Sequence, residues 1–410
     1  MDTGSSSTKH LPTVAGEPGM QPSVVVSPSS GRTGRSSVPL PWLDVRVLQS
    51  PQAREIYITA RPTERGSAAQ QGRRIFRSIR DLLARQNAWI CLERIFAPGA
   101  DLPALREIRK QEYGVVDDGV EPTFLIAEDA PGIMPGVQVY AIQAAEKPRI
   151  ISAADAKGRV FNIQGCRWVA ASALRGPWSE EGPMQARAAF QKAESLLAHA
   201  GGDLRSVART WIFMKDILSW YHQFNQARND VFRRQGLLAT EGAVWLPAST
   251  GIGVSPADDF RCAIELLAVV GPEGSVASHK AAGRQKSAHE YGSAFARAAV
   301  ARTPAGTTVF VSGTAAIDAS GASCHPGDIA GQIRMTLENV TAVLQQLSVH
   351  TEDAVQAIAY CTSPTVRDEF LSRWACRLPW PWLVTIGDIC RDDLLFEVEV
   401  TVCPGAKSIV

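Results

Sequence analysis

Near the C-terminus the run Leu394-Leu395-Phe396-Glu397-Val398-Glu399-Val400-Thr401-Val402 alternates apolar and polar residues with a period of two, as a strand with one face in a core does. Glu397 and Glu399 therefore share one face, and Phe396, Val398, Val400 and Val402 share the other. Adjacent carboxyls repel, and partial burial of one raises its pKa and makes it a usable proton donor near neutral pH. The pattern is equally met by two solvated carboxylates, placed where a sheet surface meets water, a ligand or another domain.

Further upstream, Tyr221 and Arg228 lie seven apart in a segment with helical spacing from Trp220 to Gln235, two turns and hence one face. Neither residue type is diagnostic alone. Arg228 near Asp230 reads equally as a solvated helix residue, and Tyr221 beside Trp220 as a core aromatic.

Established cofactor signatures are missing. There is no H-E-x-x-H, C-x-x-C or G-x-x-x-x-G-K-[ST], and Gly251-Ile252-Gly253 lacks the third glycine of a dinucleotide site. The seven histidines are dispersed, with His325 in a turn before Pro326 and Gly327. Eight cysteines without paired spacing read as reduced, mostly buried side chains. No metal and no cofactor is expected.

The chain has 410 residues, 45% of them hydrophobic and 20% charged, with a net charge of +1, enough for two or more ordinary domains. Near-neutral charge gives nucleic acid or an anionic membrane no bulk attraction, so neither is expected as a partner. The apolar run Leu266–Val270 is far too short to span a bilayer, and no apolar segment of signal-peptide length follows the start. A cytoplasmic protein, monomeric or homo-oligomeric, is expected.

Residues 1–38 are rich in Ser, Gly, Pro and Thr and are expected to form a disordered tail. From 39 to about 157, short apolar stretches alternate with polar segments, and Arg74–Arg85 has helical spacing. The remainder reads as a repeat. Its first copy runs strand Trp168–Ala173, helix Met184–His199, strand Val207–Met214, helix Trp220–Gln235, strand Cys262–Val269. Its second runs Val309–Ile317, helix Ile329–Leu347, strand Ala354–Tyr360, helix Thr365–Cys376, strand Trp382–Ile386 and Leu394–Val402. The predicted fold is α+β, two fused units with helices on one face of mixed sheets: an N-terminal domain over 39–272, including an extra N-terminal segment, and a C-terminal domain over 280–410.

The unit, ending in a V-E-V-E strand, resembles the RidA superfamily, whose members assemble as trimers with ligand sites between neighbouring sheets. Within it, Ala208-Arg209-Thr210-Trp211, Leu246 to Gly253, Tyr291 followed by Phe295-Ala296-Arg297-Ala298, Val311-Ser312-Gly313-Thr314-Ala315, His325-Pro326-Gly327-Asp328 and Asp388 to Leu395 together resemble the chorismatases. The resemblance runs from about residue 200 to the C-terminus. It implies a cofactor-independent enzyme that acts on the small molecule chorismate and releases pyruvate from its enolpyruvyl ether.

In that resemblance Glu397 falls on the catalytic acid, and Tyr221, Arg228, Tyr291 and Arg297 on substrate-binding positions. Gly313 and Cys390 fall on positions that set the product, where Gly and Cys accompany 3-hydroxybenzoate and alanines accompany simple hydrolysis. Two other readings stand beside this one. An imine or enamine hydrolase of the RidA type needs an arginine on the strand before the terminal one, and the chain has none between Arg377 and Arg391. A non-catalytic ligand-binding protein of the same fold would need no acid.

Overall fold

The computed structural model describes residues 42–63, 66–127, 133–163, 165–239, 242–243 and 245–409. The tail expected over 1–38 lies outside them. The α+β class holds, and each layer has the expected build of helices on one face of a mixed sheet. The layers number three. The extra N-terminal segment is itself a unit: β1 (Leu43–Gln49), β2 (Ala53–Ala60), α1 (Ala68–Gln86), β3 (Trp89–Ala97), α2 (Leu102–Tyr113), β4 (Thr123–Ile126) and β5 (Gly136–Ala144).

The second unit comprises β6 (Arg149–Ala153), β7 (Ala156–Ile163), β8 (Cys166–Leu174), α3 (Gly182–His199), β9 (Val207–Met214), α4 (Ile217–Arg234), β10 (Ala248–Ile252) and β11 (Cys262–Val270). The third comprises β12 (Val276–His279), β13 (Ala298–Thr303), β14 (Gly306–Ala315), α5 (Ile329–Gln346), β15 (Ala354–Cys361), α6 (Pro364–Arg373), β16 (Trp382–Ile386) and β17 (Phe396–Val402). The last two units are the two copies seen in the sequence.

Strand orders match throughout: β4-β3-β5-β2-β1, β10-β9-β11-β8-β7-β6 and β16-β15-β17-β14-β13-β12. In each unit the second helix returns the chain to a strand parallel to the one before it. The segment Lys407–Ser408 then pairs with β1, and Ser255–Pro256 pairs with β4, so two edges of the first sheet are covered by other units.

Alternation sorts the side chains. Val398, Val400 and Val402 join Ile333, Leu337 and Val340 of α5 in one core. The opposite faces of the three sheets meet in another, which contains Tyr57 and Tyr140, Trp211 and Phe213, and Phe310 and Tyr360. Glu397 and Glu399 stand on this inner face.

Polar side chains cross the sheet boundaries in sequence. Arg94 Nε on β3 donates to Glu265 Oε2 on β11 at 2.5 Å. Arg209 Nη2 on β9 donates to Glu399 Oε2 on β17 at 2.8 Å, and Trp211 Nε1 to Glu399 Oε1 at 2.9 Å. Between the third unit and the first, Gln356 Nε2 donates to Ile58 O and Val139 O at 3.2 and 3.1 Å, and Gln138 Nε2 to Ala357 O at 3.3 Å. All seven side chains are buried. Among the described residues no helix is long and apolar enough to cross a membrane.

Glu265→Ala strands the Arg94 guanidinium inside the structure, and the loss of one partner of a buried pair costs about 3–5 kcal/mol. The midpoint of urea unfolding should fall accordingly. A change below ~1 kcal/mol would mean the pair does not hold the first two sheets together.

Candidate functional site

The expected site residues converge where the second unit's α4 and β10 meet the third unit's β14 and β17. Glu397 is 5% and Glu399 4% exposed, so neither is a solvated strand carboxylate, because the facing sheets cover them. Their partners differ. Glu399 is held by Arg209 and Trp211, whereas Glu397 makes no side-chain hydrogen bond among the described residues. Burial first, then the Glu399 carboxylate beside it, lifts the Glu397 pKa to about 8, against the opposing pull of Arg297 and Arg209.

Gly313 lies directly against this carboxyl. A Cβ there would stand 2.0 Å from Glu397 Oε1 and 3.1 Å from Thr250 Cγ2. The Gly313 N–H donates to Thr250 Oγ1 at 3.0 Å, and Arg209 Nη2 donates to the same oxygen at 2.5 Å. The bulge in β14 between Val311 and Thr314 turns this peptide toward β10.

Tyr221 and Arg228 face the site from α4. Arg228 is 2% exposed; its Nη2 donates to Asn225 Oδ1 at 2.6 Å and its Nε is buried without a partner. The solvated reading beside Asp230 therefore fails, since Asp230 pairs with Arg187 and Arg233 instead. The Tyr221 hydroxyl lies 3.5 Å from Ser293 Oγ, and burial pushes its pKa up to about 12.

Arg297 is also 2% exposed. Its Nε donates to Lys286 O at 3.0 Å and its Nη2 to the Tyr291 hydroxyl. The Arg228 and Arg297 guanidiniums lie 5.9 and 5.4 Å from the Phe295 ring centre. Neither pairs with a carboxylate among the described residues. Cys390 is half-buried, packed against two cores, and its thiol is pushed up to about 12 by burial and then by Glu397.

Two buried cations, two phenols and a buried acid brought together at one junction are the groups that receiving a small dianion beside a proton donor requires. Uncompensated buried charge is costly, and an anionic ligand relieves it. No group of metal-ligating side chains occurs among the described residues.

Sequence reasoning gives no role to Arg209, Thr250 and Phe295, which it meets only inside motif stretches, and passes over Tyr360. For Arg209 a further signal is its charge inside Val207–Met214, a strand buried along its whole length. Register also shows how this junction differs from the other two. Phe96 pairs with Gly136, Phe213 with Ala263 and Tyr360 with Glu397 at corresponding places in the three units. The Ala173 N–H donates to Thr123 Oγ1 just as that of Gly313 does to Thr250, but Ala263 replaces the acid there.

The model of the Endoribonuclease L-PSP family matches residues 287–403. A 3-hydroxybenzoate synthase from Streptomyces hygroscopicus is 29% identical over 323 residues, covering 70% of this chain and 87% of that protein. The crystal structure of a chorismatase covers 65% of this chain and 82% of its own, with a TM-score of 0.50 and 21% identity, a likeness of fold. The yeast protein YEO7 matches with a TM-score of 0.27 and 13% identity, covering 32% of this chain and 98% of its own.

Because the folded pKa of Glu397 lies above its ordinary 4.5, the native state holds a proton there between about pH 4.5 and 8 that the unfolded chain releases. Its contribution to stability is full below about 4.5 and is lost as pH rises through about 8. An infrared carboxyl band absent from Glu397→Gln should vanish over that upper range. A band already lost by pH 5 would refute the assignment.

Proposed function

We propose that this chain, which the comparisons support as a member of the chorismatase family, converts chorismate to 3-hydroxybenzoate and pyruvate with Glu397 as general acid. The carrying observation is the pair of buried guanidiniums, Arg228 and Arg297, unpaired with any carboxylate among the described residues and set beside a buried neutral acid. Chorismate brings two carboxylates and an acid-labile enol ether, which is what such a receptor requires.

In this mechanism the Glu397 carboxyl gives its proton to the methylene carbon of the enolpyruvyl double bond, whose π electrons form the new C–H bond. The neighbouring ring hydroxyl, giving its proton to the Glu397 carboxylate, attacks the ring carbon that bears the ether as that C–O bond breaks, and the ether oxygen leaves as the keto oxygen of pyruvate. The epoxide-like ring intermediate then opens at its other C–O bond, its oxygen is protonated, and a ring proton is lost as it aromatises. The two products together contain the atoms of chorismate, so no water is consumed overall. Arg228 and Arg297 hold the carboxylates, Tyr221 and Tyr291 orient them, and the Cys390 thiol, protonated at neutral pH, serves the ring opening. Gly313 keeps the space in which the Glu397 carboxyl sits.

The imine-hydrolase alternative is disfavoured by β16, Trp-Leu-Val-Thr-Ile, which offers no arginine to grip an amino-acid carboxylate. Purified protein incubated with chorismate should yield equal amounts of pyruvate and 3-hydroxybenzoate by chromatography. An intact substrate would overturn the reading.

Glu397→Gln should lower turnover by at least ~10²-fold with the fold retained. Arg228→Ala and Arg297→Ala should each weaken chorismate binding by roughly 1.5–3 kcal/mol, seen in the Michaelis constant. Cys390→Ala should keep pyruvate release and divert product toward the dihydroxycyclohexadiene carboxylate. Against the expectation that an alanine at this position leaves simple hydrolysis, Gly313→Ala should reduce pyruvate release itself, by roughly 10²-fold, because the methyl group must displace the acid. An unchanged product ratio in Cys390→Ala would remove the thiol from the ring chemistry.

A further inference from the structure

Tyr360 is fully buried on β15, and its hydroxyl has no hydrogen-bond partner among the described residues. Buried polar groups are nearly always paired, so an unpaired one that persists points to a state other than the resting one. Tyr360 is the register partner of Glu397, and the two side chains rise from adjacent strands on the same face.

At the corresponding places in the other units stand Phe96, opposite Gly136, and Phe213, opposite Ala263. A phenyl ring fills both positions, so packing does not require the hydroxyl; it accompanies the acid. A second donor waits nearby. Arg209 engages Thr250 and Glu399 through Nη2, while its Nη1 is buried without a partner. Glu397, within the field of both, accepts from neither.

We propose that Tyr360 is a positioning residue whose hydroxyl, with Arg209 Nη1, receives the Glu397 carboxylate once its proton has been given away. The proposal rests on Glu397 being the acid. In the resting enzyme the carboxyl is neutral and turned to the substrate. After proton transfer it is an anion in a buried setting, and the two free donors supply the hydrogen bonds that water cannot. The carboxylate is thereby held in place until it takes up a proton again.

The charged and titratable groups around Glu397 are Glu399 on its own strand, Arg297 ahead of β13, Arg209 on β9, Cys390 in the preceding loop and Tyr221 on α4. Tyr360 is further faced by Arg94 from β3. None of these is altered in Tyr360→Phe, whose ring the other two units already accommodate.

A donor to the carboxylate favours the ionised form, so its removal should raise the Glu397 pKa by about half to one pH unit. Infrared difference titration of the ligand-free protein should show the Glu397 carboxyl band, identified by its loss in Glu397→Gln, persisting to higher pH in Tyr360→Phe. The alkaline limb of the kcat/KM profile should move up with it, and kcat should fall about tenfold. A merely structural role would leave both midpoints in place. An unmoved or lowered midpoint overturns the proposal while leaving Glu397 as the acid. If Glu397→Gln turns over chorismate like the parent, the reading of the acid fails, and the role of Tyr360 in the reaction fails with it.

Discussion

Everything else in this molecule depends on charge being paired across the sheet boundaries. Arg209 and Trp211 take both oxygens of Glu399, and Arg94 takes Glu265, all inside a core that would otherwise reject them. The same bonds that join the sheets decide the chemistry. By saturating one carboxyl of a V-E-V-E strand and leaving its neighbour two residues away without a side-chain hydrogen bond among the described residues, they give two like acids different surroundings, and burial raises the pKa of Glu397.

The three units share a strand order, yet they have divided their tasks. The first junction is closed by the Arg94–Glu265 pair, and the third by the amides of Gln356 and Gln138 and by Glu55, which accepts from the Ala305 N–H. At the positions of Glu397 the other units carry Gly136 and Ala263. The second junction is the one where α4 brings a buried cation, Arg228, toward a buried carboxyl of β17.

Much of this could be read from the chain, and the parts that could not have physical reasons. The strands Val207–Met214 and Trp382–Ile386 were delimited to the residue, because buried apolar runs bounded by turns leave little ambiguity. The first unit was legible only in fragments. Its terminal strand carries Gln138 where the others carry glutamate, so the repeat is masked. Glu397 stands out by alternation and Gly313 by likeness of motif, but their contact arises at a bulge between Val311 and Thr314, which no periodicity encodes. Tyr360 looked like any aromatic in a buried strand, since an unpaired hydroxyl is a property of surroundings.

The covalent continuity of the three layers has a kinetic side. A site assembled from separate subunits falls apart on dilution, at a rate set by concentration. Here the residues of both faces belong to one chain, and only a short connection, from Val270 to Val276, separates the second layer from the third. Encounter of the two faces is therefore intramolecular, at an effective concentration fixed by that tether. The second junction should thus remain assembled at any protein concentration, and its activity per molecule should not depend on how dilute the protein is.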